Sequence, residues 1–110
     1  MTFPIDLFVS LDAQVAQLLV KHGYEQTNSE QSGPFDSHLT EYQNPTSVVA
    51  LVWDGKESWL SLRRGAKSST GATNELFFER FPALTVPRPT YQSAAAKLLA
   101  TLEEHLASGP

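Results

Sequence analysis

Apolar residues recur every three or four positions near the beginning of the chain. Phe8, Leu11, Val15 and Leu18 follow this spacing, which is typical of a helix with one buried stripe. Gly23 follows the last of these turns and is a common helix stop. The pattern therefore predicts an N-terminal helix over residues 4–22.

A second helical pattern occupies the C-terminal part of the chain. Its apolar stripe consists of Tyr91, Ala95, Leu98, Leu99, Leu102 and Leu106. Three consecutive alanines from position 94 favour helix intrinsically. We predict a helix over residues 90–107, with Thr90 as its cap.

The clearest strand pattern lies in the middle of the sequence. Residues 47–53 are apolar almost throughout, which predicts a buried or central strand. In residues 58–63, Leu60 and Leu62 alternate with polar neighbours, which predicts a strand with one buried face. Asp54 and Gly55 between the two segments predict a tight hairpin turn with positive φ angles.

Four other segments carry weaker patterns. Residues 35–43 predict a strand, and residues 75–81 favour a fourth strand over a helical turn. Residues 25–34 and 65–74 are polar and predict loops. Pro82, Pro87 and Pro89 predict an extended connection to the last helix.

The order of these elements defines the expected fold class. It is α+β: an N-terminal helix, an antiparallel sheet of three to four strands, and a C-terminal helix packed on one sheet face. A length of 110 residues corresponds to a single domain over residues 1–110.

Composition excludes several classes of protein. The formal net charge of -4 argues against nucleic-acid binding, which usually needs a basic surface. The chain has no cysteine, so disulfides, thiolate metal sites and a cysteine nucleophile are excluded. No apolar run is long enough to span a membrane, and the N-terminus does not resemble a signal peptide. We therefore expect an acidic, cytoplasmic protein.

Two short segments contain residue types found in active sites, but neither has the required arrangement. Residues 65–68 hold the glycine, lysine and serine of a phosphate-binding loop without its upstream glycine or following helix. Asp36, Ser37 and His38 are adjacent, so Ser37 points away from the other two on a strand. His22, His38 and His105 show no metal-ligand spacing. We expect no catalytic residue, metal or cofactor.

The most prominent surface candidates surround the predicted hairpin. Trp53 and Trp59 flank its turn, and at least one of them is expected to pack in the core. An exposed tryptophan would favour a protein contact. Arg63, Arg64 and Lys67 form a basic cluster that would either contact an acidic partner or protect a strand edge from aggregation.

The segment from Val48 to Leu62 resembles a pattern in small uncharacterised bacterial proteins, some of which look like immunity proteins of contact-dependent toxin systems. The overall plan is also similar to that of small acidic secretion chaperones, which form dimers. These resemblances imply a non-enzymatic protein-binding module whose partner is another protein or a second copy of the chain. The alternative is a small-molecule-binding domain or minor enzyme with a pocket between sheet and helices.

Overall fold

The computed structural model describes residues 5–33, 37–67, 74–81 and 86–107. Within them the chain forms a helix, five strands and a second helix. The elements are α1 (Ile5–Val20), β1 (Glu25–Ser32), β2 (Ser37–Gln43), β3 (Ser47–Asp54), β4 (Trp59–Ala66), β5 (Asn74–Arg80) and α2 (Arg88–Ala107).

The five strands form one antiparallel sheet in which each strand pairs with its neighbour in sequence, in the order β1-β2-β3-β4-β5. The predicted α+β class is confirmed, as is the strand over residues 75–81. The predicted count of three to four strands is wrong, because the described part of the sheet has five.

The additional strand is β1, in a segment that the sequence predicted to be a loop. Its residues are polar along its whole length, so it shows no apolar alternation. Pairing with β2 supplies its backbone hydrogen bonds. Just before it, Gly23 adopts a φ of 80° and Tyr24 is buried. The helix stop predicted at Gly23 thus directs the chain straight into an edge strand.

The β3–β4 hairpin has the predicted position but a different turn. Asp54 Oδ1 accepts the backbone N–H of Glu57 at 2.9 Å. The positive φ falls on Ser58, at 59°, and not on Gly55 as expected. Because Asp54 lies opposite Trp59 in the pairing, Trp53 and Trp59 point to opposite faces of the sheet.

One face of the sheet packs against both helices and forms the core. On the central strands β3 and β4, Val49, Leu51, Trp53, Leu60 and Leu62 are almost completely buried. The helices contribute Phe8, Leu11, Val15, Leu19, Tyr91, Ala94, Leu98, Leu102 and Leu106 to the same cluster. The apolar stripes predicted for the two helices are therefore the surfaces that cover the sheet.

The starts of the two helices are joined by an exposed ion pair. Arg88 donates to both carboxylate oxygens of Asp6, and this hydrogen bonding lowers the pKa of Asp6 below its usual value. Helix α2 begins two residues earlier than predicted, so Pro89 lies in its first turn, where a missing N–H is tolerated. None of the described helices is both long and apolar enough to cross a membrane.

Candidate binding surface on the open sheet face

The sheet face opposite the helices is called here the open face. Strand alternation and the pairing register place on it Glu25, Asn28 and Glu30 from β1, Leu39 and Glu41 from β2, Val48, Ala50, Val52 and Asp54 from β3, Trp59, Ser61 and Arg63 from β4, and Glu75, Phe78 and Arg80 from β5. Neither helix lies over this face, because both contribute their buried stripes to the core cluster on the other side.

An aromatic pair dominates the β4–β5 side of the open face. The rings of Trp59 and Phe78 have centroids 5.5 Å apart and planes inclined at 39°. Phe78 is 48% exposed, which is unusual for a large apolar side chain in the middle of a strand. Trp59 is half-buried. Together they present apolar ring surface to solvent in a fixed arrangement.

Aliphatic side chains continue this surface across the centre of the sheet. Leu39 pairs with Val52, Val52 pairs with Ser61, and Ser61 pairs with Phe78, so these residues form one cross-strand row. Ser61 is fully buried within the row, and its hydroxyl has no hydrogen-bond partner among the described residues. The centre of the open face is therefore apolar in character despite containing a serine.

Charges on the open face are divided between its two halves. The β1–β2 half carries Glu25, Glu30 and Glu41, and the sequences of these two strands contain no lysine or arginine. Asn28 Nδ2 donates to Glu30 at 2.8 Å and to Glu41 at 3.0 Å, which holds these two carboxylates close together.

The β4–β5 half carries Arg63 and Arg80. Arg63 forms an ion pair with Glu75, with 3.5 Å between its Nη2 and a carboxylate oxygen. Arg80 is exposed and makes no ion pair with any residue that the structure describes. One half of the open face is thus acidic and the other has a basic excess.

The five residues predicted to contact a partner do not form one surface. Trp59 and Arg63 lie on the open face. Trp53 is 1% exposed in the core, where its ring is 6.1 Å from Phe81, so a surface role for Trp53 is wrong. Arg64 points to the helix side of the sheet. Lys67 is exposed in the turn after β4.

The interpretation of the basic cluster as a protected strand edge is also wrong. Strand β4 pairs with β3 on one side and with β5 on the other, so it lies inside the sheet. The edge strands among the described elements are β1 and β5. Arg63 and Arg64 are adjacent in sequence but project to opposite faces.

A cavity of about 580 Å³ lies at the end of the sheet, where strands meet the last turn of α2. Arg64 and His105 line it, together with Thr46, Ser47, Asn74 and Glu75. Arg64 makes no ion pair or side-chain hydrogen bond with the described residues. The cavity is open to solvent, and its lining combines the basic Arg64 with the acidic Glu75 and with hydroxyl, amide and apolar groups.

The described residues that were considered for catalysis, Ser37 and His38, make contacts within the fold. Ser37 Oγ accepts the backbone N–H of Gly55 at 3.0 Å, and the ring of His38 stacks on Phe8 with centroids 4.7 Å apart. Asp36 and Ser68 lie outside the described residues. In the described part of the chain, no three histidine, aspartate or glutamate side chains are grouped to hold a metal ion.

Comparison of the chain with protein-family models, with curated proteins and with solved structures found no match.

Sequence reasoning missed Phe78, Arg80, Glu41 and Val52 as surface residues. Each lies in a strand whose apolar and polar positions alternate weakly, so the pattern did not indicate which side faces the helices. The signal that could have found Phe78 is a pair of adjacent phenylalanines in one strand, since adjacent strand residues face opposite sides and only one can enter the core.

Proposed function

We propose that this protein is a non-enzymatic protein-binding module and that the open face is its binding surface. The observation that supports this proposal is the one-sided architecture. Both helices pack on the same side of the sheet, and the other side carries an apolar centre with an aromatic pair of which Phe78 is exposed and Trp59 half-buried. Exposed apolar patches with a polar rim are characteristic of interaction sites.

The shape and composition of the open face favour a macromolecular partner over a small ligand. A sheet face is broad and shallow, whereas small-molecule sites are concave and bury most of the ligand. Tryptophan and arginine are enriched among the residues that dominate protein interfaces. Trp59 and Arg63 lie four residues apart on the same face of β4, with Ser61 between them.

The proposed class of partner rests on two resemblances, that of the hairpin segment to immunity-like proteins and that of the overall plan to secretion chaperones. For an immunity-like protein the partner is a toxin domain, and for a chaperone-like protein it is a secreted effector. Both are proteins that a small acidic domain would hold by surface complementarity and without chemistry. The acidic half of the open face would suit a basic surface on such a partner.

The test compares two exposed apolar residues on opposite sides of the molecule. Phe78→Glu places a charge on the open face, and Val20→Glu places the same charge at the end of α1, where Val20 is 65% exposed. Both variants should keep the fold, which thermal unfolding will verify. The tagged proteins are then used to capture partners from cells that encode the chain.

We expect wild type and Val20→Glu to retain the same specific partner and Phe78→Glu to bind it at least about 30-fold more weakly, the loss typical of an interface residue that contributes strongly to binding. Equal binding by all three proteins would contradict a role for the open face.

A second candidate function is the binding of a small anion in the cavity beside α2. Arg64 supports it, because its guanidinium lines the cavity without an ion pair to any described residue. Thermal unfolding with rising inorganic phosphate or small carboxylates tests it. A saturable stabilisation present in wild type and Arg80→Gln, but absent in Arg64→Gln, is expected. Identical responses of the three proteins would exclude this site.

A further inference from the structure

The charge pattern of the open face identifies a specific occupant. We propose that the open face binds a second copy of this chain, related by a two-fold axis that lies between the two sheets and runs parallel to β3. The inference rests on the proposed function, since it assigns a partner to the same surface. It is carried by the division of the face into an acidic half and a half with basic excess.

The strand order makes the face suited to two-fold packing. Strand β3 is central, with β1 and β2 on one side and β4 and β5 on the other. A homodimer with a two-fold axis uses the same patch on both copies, so the patch must be complementary to itself. An axis parallel to β3 places the β1–β2 half of each copy over the β4–β5 half of the other.

The alternative face-to-face axis runs across the strands and is electrostatically unfavourable. It would place the β1–β2 half over its own counterpart, so that Glu30 and Glu41 of the two copies would meet. Like charges brought together in an interface oppose association by several kcal/mol. The charge pattern therefore selects between two geometries that apolar burial alone would not distinguish.

The pairing register shows which residues meet around the selected axis. Glu41, Ala50 and Arg63 lie in one cross-strand row, with Ala50 on the central strand. Rotation about an axis along β3 brings Glu41 of one copy over Arg63 of the other. Because the axis is two-fold, the dimer contains two such contacts. Ala50 and Val52 of one copy then lie over the same residues of the other.

The apolar row next to this one strengthens the contact. It holds Leu39, Val52, Ser61 and Phe78, and it ends on β1 at Glu30, which the rotation places over Phe78 of the other copy. In the packed pair the side chain of Leu39 would cover Ser61 of the other copy. Sheets that pack face to face lie about 10 Å apart, a spacing that side chains of this size fill.

The size of the face predicts the strength of the association. Five strands spaced by about 4.8 Å and about seven residues long give a patch of roughly 24 by 23 Å, or roughly 550 Å² on each copy. This total of roughly 1,100 Å² is at the lower end for specific complexes. A dimer that dissociates on dilution is expected, not a permanent one.

The first experiment measures molar mass by light scattering over a range of concentrations. Wild type should change from monomer to dimer as concentration rises. Glu41→Arg and Arg63→Glu should each raise the dissociation constant by about tenfold or more, because each places like charges in contact. The double variant should return it to within about threefold of wild type, because the pairs are restored with reversed sign.

The matched control is Glu103→Arg, which makes the same charge change as Glu41→Arg at an exposed position of α2. It should leave the dissociation constant unchanged. The inference would be overturned if neither Glu41→Arg nor Arg63→Glu changed the dissociation constant of the dimer. It would also be overturned if the double variant dimerised no more tightly than the single variants.

A second experiment tests the orientation and uses the absence of cysteine from the chain. Asn28 and Glu75 lie at opposite ends of the Glu41–Arg63 row. Under the proposed axis, a mixture of Asn28→Cys and Glu75→Cys proteins should be joined by a short bifunctional maleimide, whereas either protein alone should not. Cross-linking of Asn28→Cys to itself would indicate the other axis and overturn the proposal.

The two proposals fail separately. Wild type that stays monomeric at every concentration overturns the dimer. Binding of a different protein would still be decided by the comparison of Phe78→Glu with Val20→Glu. If Phe78→Glu and Val20→Glu capture the partner equally well, the open face does not bind that partner. If the dimer nevertheless responds to Glu41→Arg and Arg63→Glu, the open face serves self-association.

Discussion

At the scale of single residues, Tyr42 shows how a buried polar group is accommodated in this core. Its ring is 2% exposed on the helix side of β2, and its hydroxyl donates to Asp12 Oδ1 on α1. Burial, and then the hydrogen bond to Asp12, raise the pKa of Tyr42 well above its usual value. The hydroxyl therefore stays protonated in the folded protein at pH values where an unfolded tyrosine begins to ionise.

This shift predicts how Tyr42→Phe will behave. Near neutral pH the variant should lose about 1.5–3 kcal/mol of unfolding free energy, because one hydrogen bond to a carboxylate is removed. A raised folded pKa gives stability that is complete below the unfolded pKa of about 10 and is lost as pH rises beyond it. The gap between wild type and Tyr42→Phe should therefore narrow above about pH 10.

Urea unfolding at neutral pH and above about pH 10 measures both effects. The other tyrosines are common to the two proteins, so the difference between them isolates Tyr42. A gap that is constant across this range would contradict the assignment of the raised pKa to Tyr42.

The two tryptophans show the limit of prediction at this scale. That at least one would be in the core was predicted and is confirmed by Trp53. Which one could not be read from the sequence, because the turn length sets the register of the hairpin. The pairing of Asp54 with Trp59 decides it, since it places the two rings on opposite faces.

At the scale of elements, β3 is the strand on which the sheet depends most. It occupies the centre of the sheet, and its alternate residues enter the core and the open face. Its strongly apolar sequence, rich in β-branched valine, made it predictable, because such residues favour strands. Strand β1 was not predictable by the same reasoning, since a polar edge strand is held by backbone pairing that leaves no side-chain pattern.

Adjacent residues of β3 provide a matched pair for testing the two faces. Leu51→Ala should lower the free energy of unfolding by about 2–4 kcal/mol, because Leu51 is fully buried against the helices and truncation leaves a cavity. Val52→Ala, one position later on the open face, should cost about 1 kcal/mol or less because Val52 is only partly buried.

Chemical denaturation of the two variants under conditions where the protein is monomeric checks this prediction. The monomeric condition matters because Val52 lies in the proposed dimer contact. Equal losses at the two positions, or a larger loss for Val52→Ala, would contradict the assignment of the core to the helix side of the sheet.

At the scale of the whole molecule, the arrangement of the helices creates both functional candidates. Because α1 and α2 share one face, they cover the core with a single layer and leave the other face open. At the end of the sheet, residues of β3, β4 and β5 and His105 in the last turn of α2 line the open cavity. The Asp6–Arg88 pair joins the starts of the two helices.

The charge division of the open face also exists only at this scale. Glu41 and Arg63 are far apart in the sequence, and the composition of the chain does not single them out. The meander places them on one row, on either side of the central strand. Self-complementarity is a property of the assembled face, and it motivates the dimer proposal.

The sequence by itself determined the helices, the strongest strands and the α+β class, because the spacing of apolar residues along the chain follows the period with which each element buries its side chains. The number of strands, the face that each tryptophan occupies and the side of the sheet left uncovered were decided only by the tertiary structure. Strand register and helix placement depend on contacts between distant segments, and a one-residue change of register would exchange the core face with the open face.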